Sequence, residues 1–172
     1  MQHINISNLI VCLLILLSPS IFGQMQDAKP NNGLSLNLGS GTLLSIDYER
    51  IWRNEKNSNL LVTSIGAGLG LEGKVWQFMA NTDFTSRDSY FVSPQKVTYN
   101  IGNGNNYLEL GAGGILVLGN TTQPYIVYPI IGYRFIGNNN TTFKFFLSWP
   151  ISGIQTDDLG FVPFGIGLGQ LF

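Results

Sequence analysis

Asp47, Glu49, Glu109, Arg134 and Lys144 are the side chains through which this 172-residue chain could do chemistry. Carboxylates near cations can trade protons as a general acid and base, pass protons along a pore, or neutralise one another in a packed interior. The rest of the composition narrows the choice. The one histidine, His3, and the one cysteine, Cys12, lie near the start of the chain, inside a segment that reads as a removable leader. Serine hydroxyls then have no imidazole to activate them, so the usual nucleophile–base triad cannot be assembled. No catalytic residue is expected, and the cofactor and metal expectations are both none. Asp157-Asp158 are two adjacent carboxylates, too few oxygens for a hard cation. Gly68-Leu-Gly-Leu-Glu-Gly73 matches a dinucleotide-binding pattern formally, but Lys74-Val-Trp-Gln-Phe78 opens no amphipathic helix behind it.

The elements that must position those charges are strands. Leu9 to Leu17 is an unbroken apolar run followed by Ser18-Pro-Ser20 and small Gly23. It is too short for a membrane-spanning helix, which needs about 20 residues, and reads as a secretory signal peptide over 1–23, with one domain over 24–172. All nine Lys and Arg and all ten Asp and Glu fall in that domain, and the net charge of −1 offers no basic field to nucleic acid. Charged residues are 11% of the chain and 21 residues are glycine; against about 25% charge in ordinary soluble domains, this is a poor surface for water.

Eight alternating runs are separated by Asn- and Gly-rich breaks: residues 34–39, 42–52, 60–71, 94–101, 107–118, 125–136, 142–149 and 161–172. Leu44, Ile46 and Tyr48 oppose Ser45, Asp47 and Glu49; Leu108 and Leu110 oppose Glu109; Tyr133 and Phe135 oppose Arg134; Phe143, Phe145 and Leu147 oppose Lys144. Every strand charge but Arg50 shares the face opposite the apolar residues. Period-two patterning of this kind predicts a closed barrel with greasy residues turned to lipid and a lumen plugged by Asp47, Glu49, Glu109, Arg134 and Lys144, paired because an unpaired buried charge costs several kcal/mol. Inward Gly66, Gly68, Gly111, Gly113, Gly165, Gly167 and Gly169 leave room for them. Tyr48, Trp52, Tyr107, Tyr133, Phe135, Phe143 and Phe172 form one expected aromatic belt; Trp76, Phe91, Tyr125, Trp149 and Phe161 form the other. The breaks at 53–59, 102–106 and 137–141 fall on one side as short turns. Those at 72–92, 119–124 and 150–160 fall on the other, so the longest loop lies opposite the short turns.

Leu43-Leu-Ser-Ile-Asp-Tyr-Glu-Arg50, Tyr107-Leu-Glu-Leu-Gly-Ala-Gly113, Ile131-Gly-Tyr-Arg-Phe135 and Gly165-Ile-Gly-Leu-Gly-Gln-Leu-Phe172 resemble strand signatures of small outer-membrane β-barrel proteins of Gram-negative bacteria, the OmpA/OmpX-like class. The resemblance implies an all-β, eight-stranded antiparallel up-and-down transmembrane barrel in the outer membrane, not an enzyme. The implied partners are outer-membrane lipid, lipopolysaccharide and the barrel-assembly machinery, which would read Phe172 in the last strand. Recognition of an unknown surface partner would then use the external loops at 72–92 and 150–160, with Lys74, Trp76, Arg87 and Tyr90 as candidates. A narrow channel or small-solute transporter is the alternative, followed by a periplasmic barrel binding lipid inside.

Overall fold

A computed structural model of the chain describes residues 30–53, 57–71, 89–118, 124–151 and 160–172. Among them are eight strands: β1 (Asn32–Gly39), β2 (Thr42–Arg53), β3 (Leu60–Leu71), β4 (Ser89–Asn103), β5 (Asn106–Leu118), β6 (Tyr125–Ile136), β7 (Thr141–Ser148) and β8 (Phe164–Leu171). Each pairs antiparallel with its sequence neighbours, and β8 pairs with β1, so the sheet closes into a barrel without an edge. At the seam Gly33 faces Leu171 and Gly39 faces Gly165, and Phe172 N donates to Asn32 O at 2.8 Å.

The tight turns follow from their residues. Gly39, Ser40 and Gly41 all take positive φ (94°, 54° and 80°), and Gly104 (67°) and Asn140 (65°) do so at the β4–β5 and β6–β7 turns. Glycine and asparagine adopt that conformation at least cost. Two strands begin three or more residues away from where the sequence reading puts them. β4 begins at Ser89 and runs through Pro94, where a proline suggests a boundary. The β3–β4 ladder skips Gly66 and Ala67 opposite Ser93 and Pro94, and the Ser93 hydroxyl donates to the Gly66 carbonyl at 2.9 Å, replacing the donor that proline lacks. β8 begins at Phe164 rather than Phe161: before it the regular ladder gives out, although Val162 O and Pro163 O still accept from Ser40 N at 3.2 Å and Ser148 N at 2.9 Å.

Alternation along the strands divides the barrel into a polar-and-apolar lumen and an apolar exterior. Thirty large apolar side chains stand exposed among the described residues, while Asp47, Glu49, Glu109, Arg134 and Lys144 are buried, the reverse of a water-soluble fold. The lumen has three layers. Its middle is polar. One end is filled by Val92, Ile115, Val117, Ile126, Tyr128, Ile130, Phe146 and Phe161, the other by Ile51, Leu60, Val62, Tyr107 and Leu171. Two expected belt residues are therefore misplaced. Tyr107 points inward and donates to Gly104 O at 2.9 Å, on the same row as Glu109. Phe161 is 1% exposed and packs edge-on against Tyr128, ring centroids 5.3 Å apart, because the segment carrying it turns in over the mouth.

Candidate functional site

The middle layer is the candidate site. Glu49 reaches across the lumen from β2. Its Oε2 accepts from Arg134 Nη1 on β6 at 2.7 Å, and its Oε1 accepts from Lys144 Nζ on β7 and from Ser35 Oγ at 3.0 Å. Arg134 Nη2 also donates to Glu109 Oε1 on β5 at 3.2 Å, which accepts from Thr98 Oγ1 at 2.8 Å as well. The sequence reading missed a sixth member. Lys96 on β4 donates to Asp47 Oδ2 at 2.8 Å and lies 5.1 Å above the Phe146 ring. Its signal was present in the alternation, since outward Val97, Tyr99 and Ile101 put Lys96, Thr98 and Asn100 on the inward row. With it the layer holds three carboxylates and three cations.

Glycine and serine make space beside these charges. In the ladders Asp47 stands next to Gly66, Glu49 next to Ser64, Glu109 next to Gly132, Lys96 next to Gly113 and Lys144 next to Gly167. A β-carbon on Gly66 would run into the Asp47 carboxylate, and one on Gly167 would lie 2.8 Å from Lys144 Cε. Arg134 and Lys144 are themselves direct cross-strand partners, an arrangement of like charges that destabilises a sheet when unrelieved. Glu49 relieves it by binding both.

Three carboxylates and three cations held this way chiefly neutralise one another. Glu109 Oε2 and Arg134 Nε have no protein partner, and both residues line a cavity of about 10 Å³, the size at which a single water fits. Beyond each end of the polar layer the apolar plugs close the bore. At the Phe161 end the Gly39–Ser40–Gly41 turn also folds inward: a β-carbon on Gly41 would meet Ile115 Cδ1 at 2.5 Å and Phe161 Cδ2 at 2.9 Å, and the Ser40 and Ser148 hydroxyls share a 2.5 Å hydrogen bond.

Of the surface candidates, Tyr90 lies in β4 on the inward row and packs, half buried, against the apolar cluster at the Phe161 end. Lys74, Trp76, Arg87, Asp157 and Asp158 lie outside the described residues. Phe172 is exposed on the outer wall. On that wall the phenolic oxygens reach polar groups at the turns: Tyr48 donates to Asn32 Oδ1 at 2.8 Å, Tyr133 to Asn106 Oδ1 at 2.5 Å, and Tyr99 accepts from Asn59 Nδ2 at 3.0 Å. Arg50, the outward strand cation, sits at the same end, 5.3 Å over the Trp52 ring, and donates to Asn32 Oδ1 at 2.7 Å.

Comparison with protein-family models, with curated proteins and with solved structures returns no match to this chain.

Proposed function

We infer that the chain is an integral β-barrel of the Gram-negative outer membrane, delivered there by a signal peptide over 1–23. The observation that carries the reading is the inverted polarity of the wall: a continuous apolar exterior around a buried, charge-balanced interior. Water makes such an exterior costly, at roughly 25 cal/mol for every Å² of apolar surface exposed, whereas hydrocarbon makes it neutral and demands the closed ladder that leaves no backbone group unpaired. Tyrosine rings with apolar bodies on the wall and hydroxyls at the turns suit the headgroup level.

In this reading the barrel is a structural anchor without enzymatic activity, and its outer contacts are with membrane lipid and lipopolysaccharide. Strand β8 with Phe172 would be the segment the assembly machinery reads. Surface recognition would use residues 72–88 and 150–160; Ser89 to Val92 belong to β4 instead. The plugged lumen favours this over a channel, since the cavity beside Arg134 and Lys144 is about 10 Å³. It equally disfavours a lipid carried inside. Fractionation tests the assignment: the protein is expected with outer membranes and to migrate differently on gels with and without boiling. Recovery in periplasmic extract would overturn it.

A further inference from the structure

The wall is indented where β7 stops short and β8 begins late. Both strands have eight residues while β6 has twelve. The β6–β7 ladder stops at Ile130 opposite Ser148, and the β7–β8 ladder at Leu147 opposite Phe164. Beyond that point Ile151 N still donates to Val127 O at 2.8 Å and Ser148 N to Pro163 O at 2.9 Å, so the wall is sealed, but Pro129 has no donor to offer there. Phe161 has been drawn into the lumen. The displaced chain leaves a hollow on either side of the start of β8. One, of about 360 Å³, is lined by Pro129, Ile131, Leu147, Trp149 and Pro163 among others. The second, of about 330 Å³, is lined chiefly by Leu38, Leu43, Val162, Phe164 and Ile166.

Among the described residues, no charged side chain lines either hollow. Apart from the Trp149 indole, the polar side chains among the described lining residues are the hydroxyls of Ser148 and Thr42, and both are engaged: Ser148 with Ser40 at 2.5 Å, Thr42 with Gly39 O at 2.9 Å. An occupant therefore finds dispersion contacts and almost nothing to hydrogen-bond, which is the chemistry of an aliphatic chain. Both hollows open onto the apolar exterior and are continuous with it. A void there would forfeit contacts along its whole lining. We propose that the two hollows are acyl-chain sites that hold the hydrocarbon chains of a membrane lipid astride the start of β8. This rests on the membrane reading above.

Tryptophan quenching separates the two ideas. Full-length protein folded in detergent micelles is titrated with brominated-chain phosphatidylcholine, in one variant keeping only Trp149 (W52F/W76F) and another keeping only Trp52 (W76F/W149F). Quenching of Trp149 is expected to saturate at a stoichiometric amount of lipid, while Trp52 is quenched only in proportion to the lipid-to-detergent ratio. Ile131→Phe, which fills the first hollow from the wall, is expected to abolish the saturable phase at Trp149 and leave Trp52 unchanged. If both tryptophans follow the same unsaturated course, or if Ile131→Phe leaves the saturable phase intact, the acyl-chain sites do not exist although the barrel sits in lipid. If neither is quenched at any ratio, the membrane reading fails as well.

Discussion

Replacing Glu49 with glutamine is the sharpest single perturbation of the lumen. The side chain keeps its shape but loses the charge that Arg134 and Lys144 share, at 2% exposure and with space beside it for about one water. Those two cations remain direct cross-strand partners, with Glu109 the one carboxylate bonded to either. Removing one partner of a buried ion pair costs about 3–5 kcal/mol. For a domain with a urea m-value of about 2 kcal/mol/M, that lowers the unfolding midpoint by roughly 1.5–2.5 M. The informative variant is the double one, Glu49→Gln with Lys144→Met. It leaves Arg134 with Glu109 and Lys96 with Asp47, two cations against two carboxylates. It should therefore be more stable than Glu49→Gln alone, with a coupling of about 1–3 kcal/mol between the positions. The assay is urea unfolding of barrels refolded into vesicles, followed by tryptophan fluorescence and by heat-shifted gel mobility. A double variant no more stable than Glu49→Gln would refute the claim that charge balance, rather than shape, governs the plug.

On the outer wall, Ile65→Arg at a position 57% exposed should cost about 2–4 kcal/mol if the middle of β3 faces hydrocarbon; the same change on a wetted surface stays within about 0.5 kcal/mol, so unfolding in vesicles decides. Gly66→Val should destabilise by about 1–3 kcal/mol through overpacking, because a β-carbon there meets both the Asp47 carboxylate and, at 2.7 Å, the Ile46 carbonyl. Gly104→Ala has open space around it but a φ of +67°, and its cost should be about 1 kcal/mol, of conformational origin; the same urea series measures both. Planar bilayers containing the protein should show no step conductance, and regular openings that change with Lys144→Met would contradict a sealed lumen.

Most of the architecture could be read from period-two patterning, because a wall with one apolar face imposes its alternation on every strand. Aromaticity near a strand end suggests a belt position for Tyr107, but alternation puts it on the inward row of Glu109, and the structure follows the alternation. Alternation says nothing of chain beyond the regular ladder: Phe161 looked like the first residue of β8 but fills the mouth beside Tyr128. Lys96 is the one lumen charge outside the sequence reading, which assigns no faces within 94–101, although Val97, Tyr99 and Ile101 alternate there as elsewhere. The apolar end plugs were unreadable for a further reason. Ile51 and Ile115 continue the inward rows of Glu49 and Glu109, and Leu60 and Val62 that of Gly66, but alternation does not say at what depth an inward row turns from polar to apolar.

The network's connectivity explains how such a lumen differs from an aqueous bore. A ladder joins only adjacent strands, whereas Glu49 ties β2 to β6 and β7 across the barrel, and Lys96–Asp47 ties β4 to β2 over the intervening β3. These are cross-braces between strands that share no backbone hydrogen bond. Each brace needs its two ends at fixed separation, so the polar layer resists changes in barrel cross-section as well as neutralising itself. Ion passage would require these pairs to part and both apolar plugs to open, leaving several buried charges unpaired at once. At several kcal/mol for each, such a state would be too rare to carry flux. An interior built this way suits the rigid support that we propose.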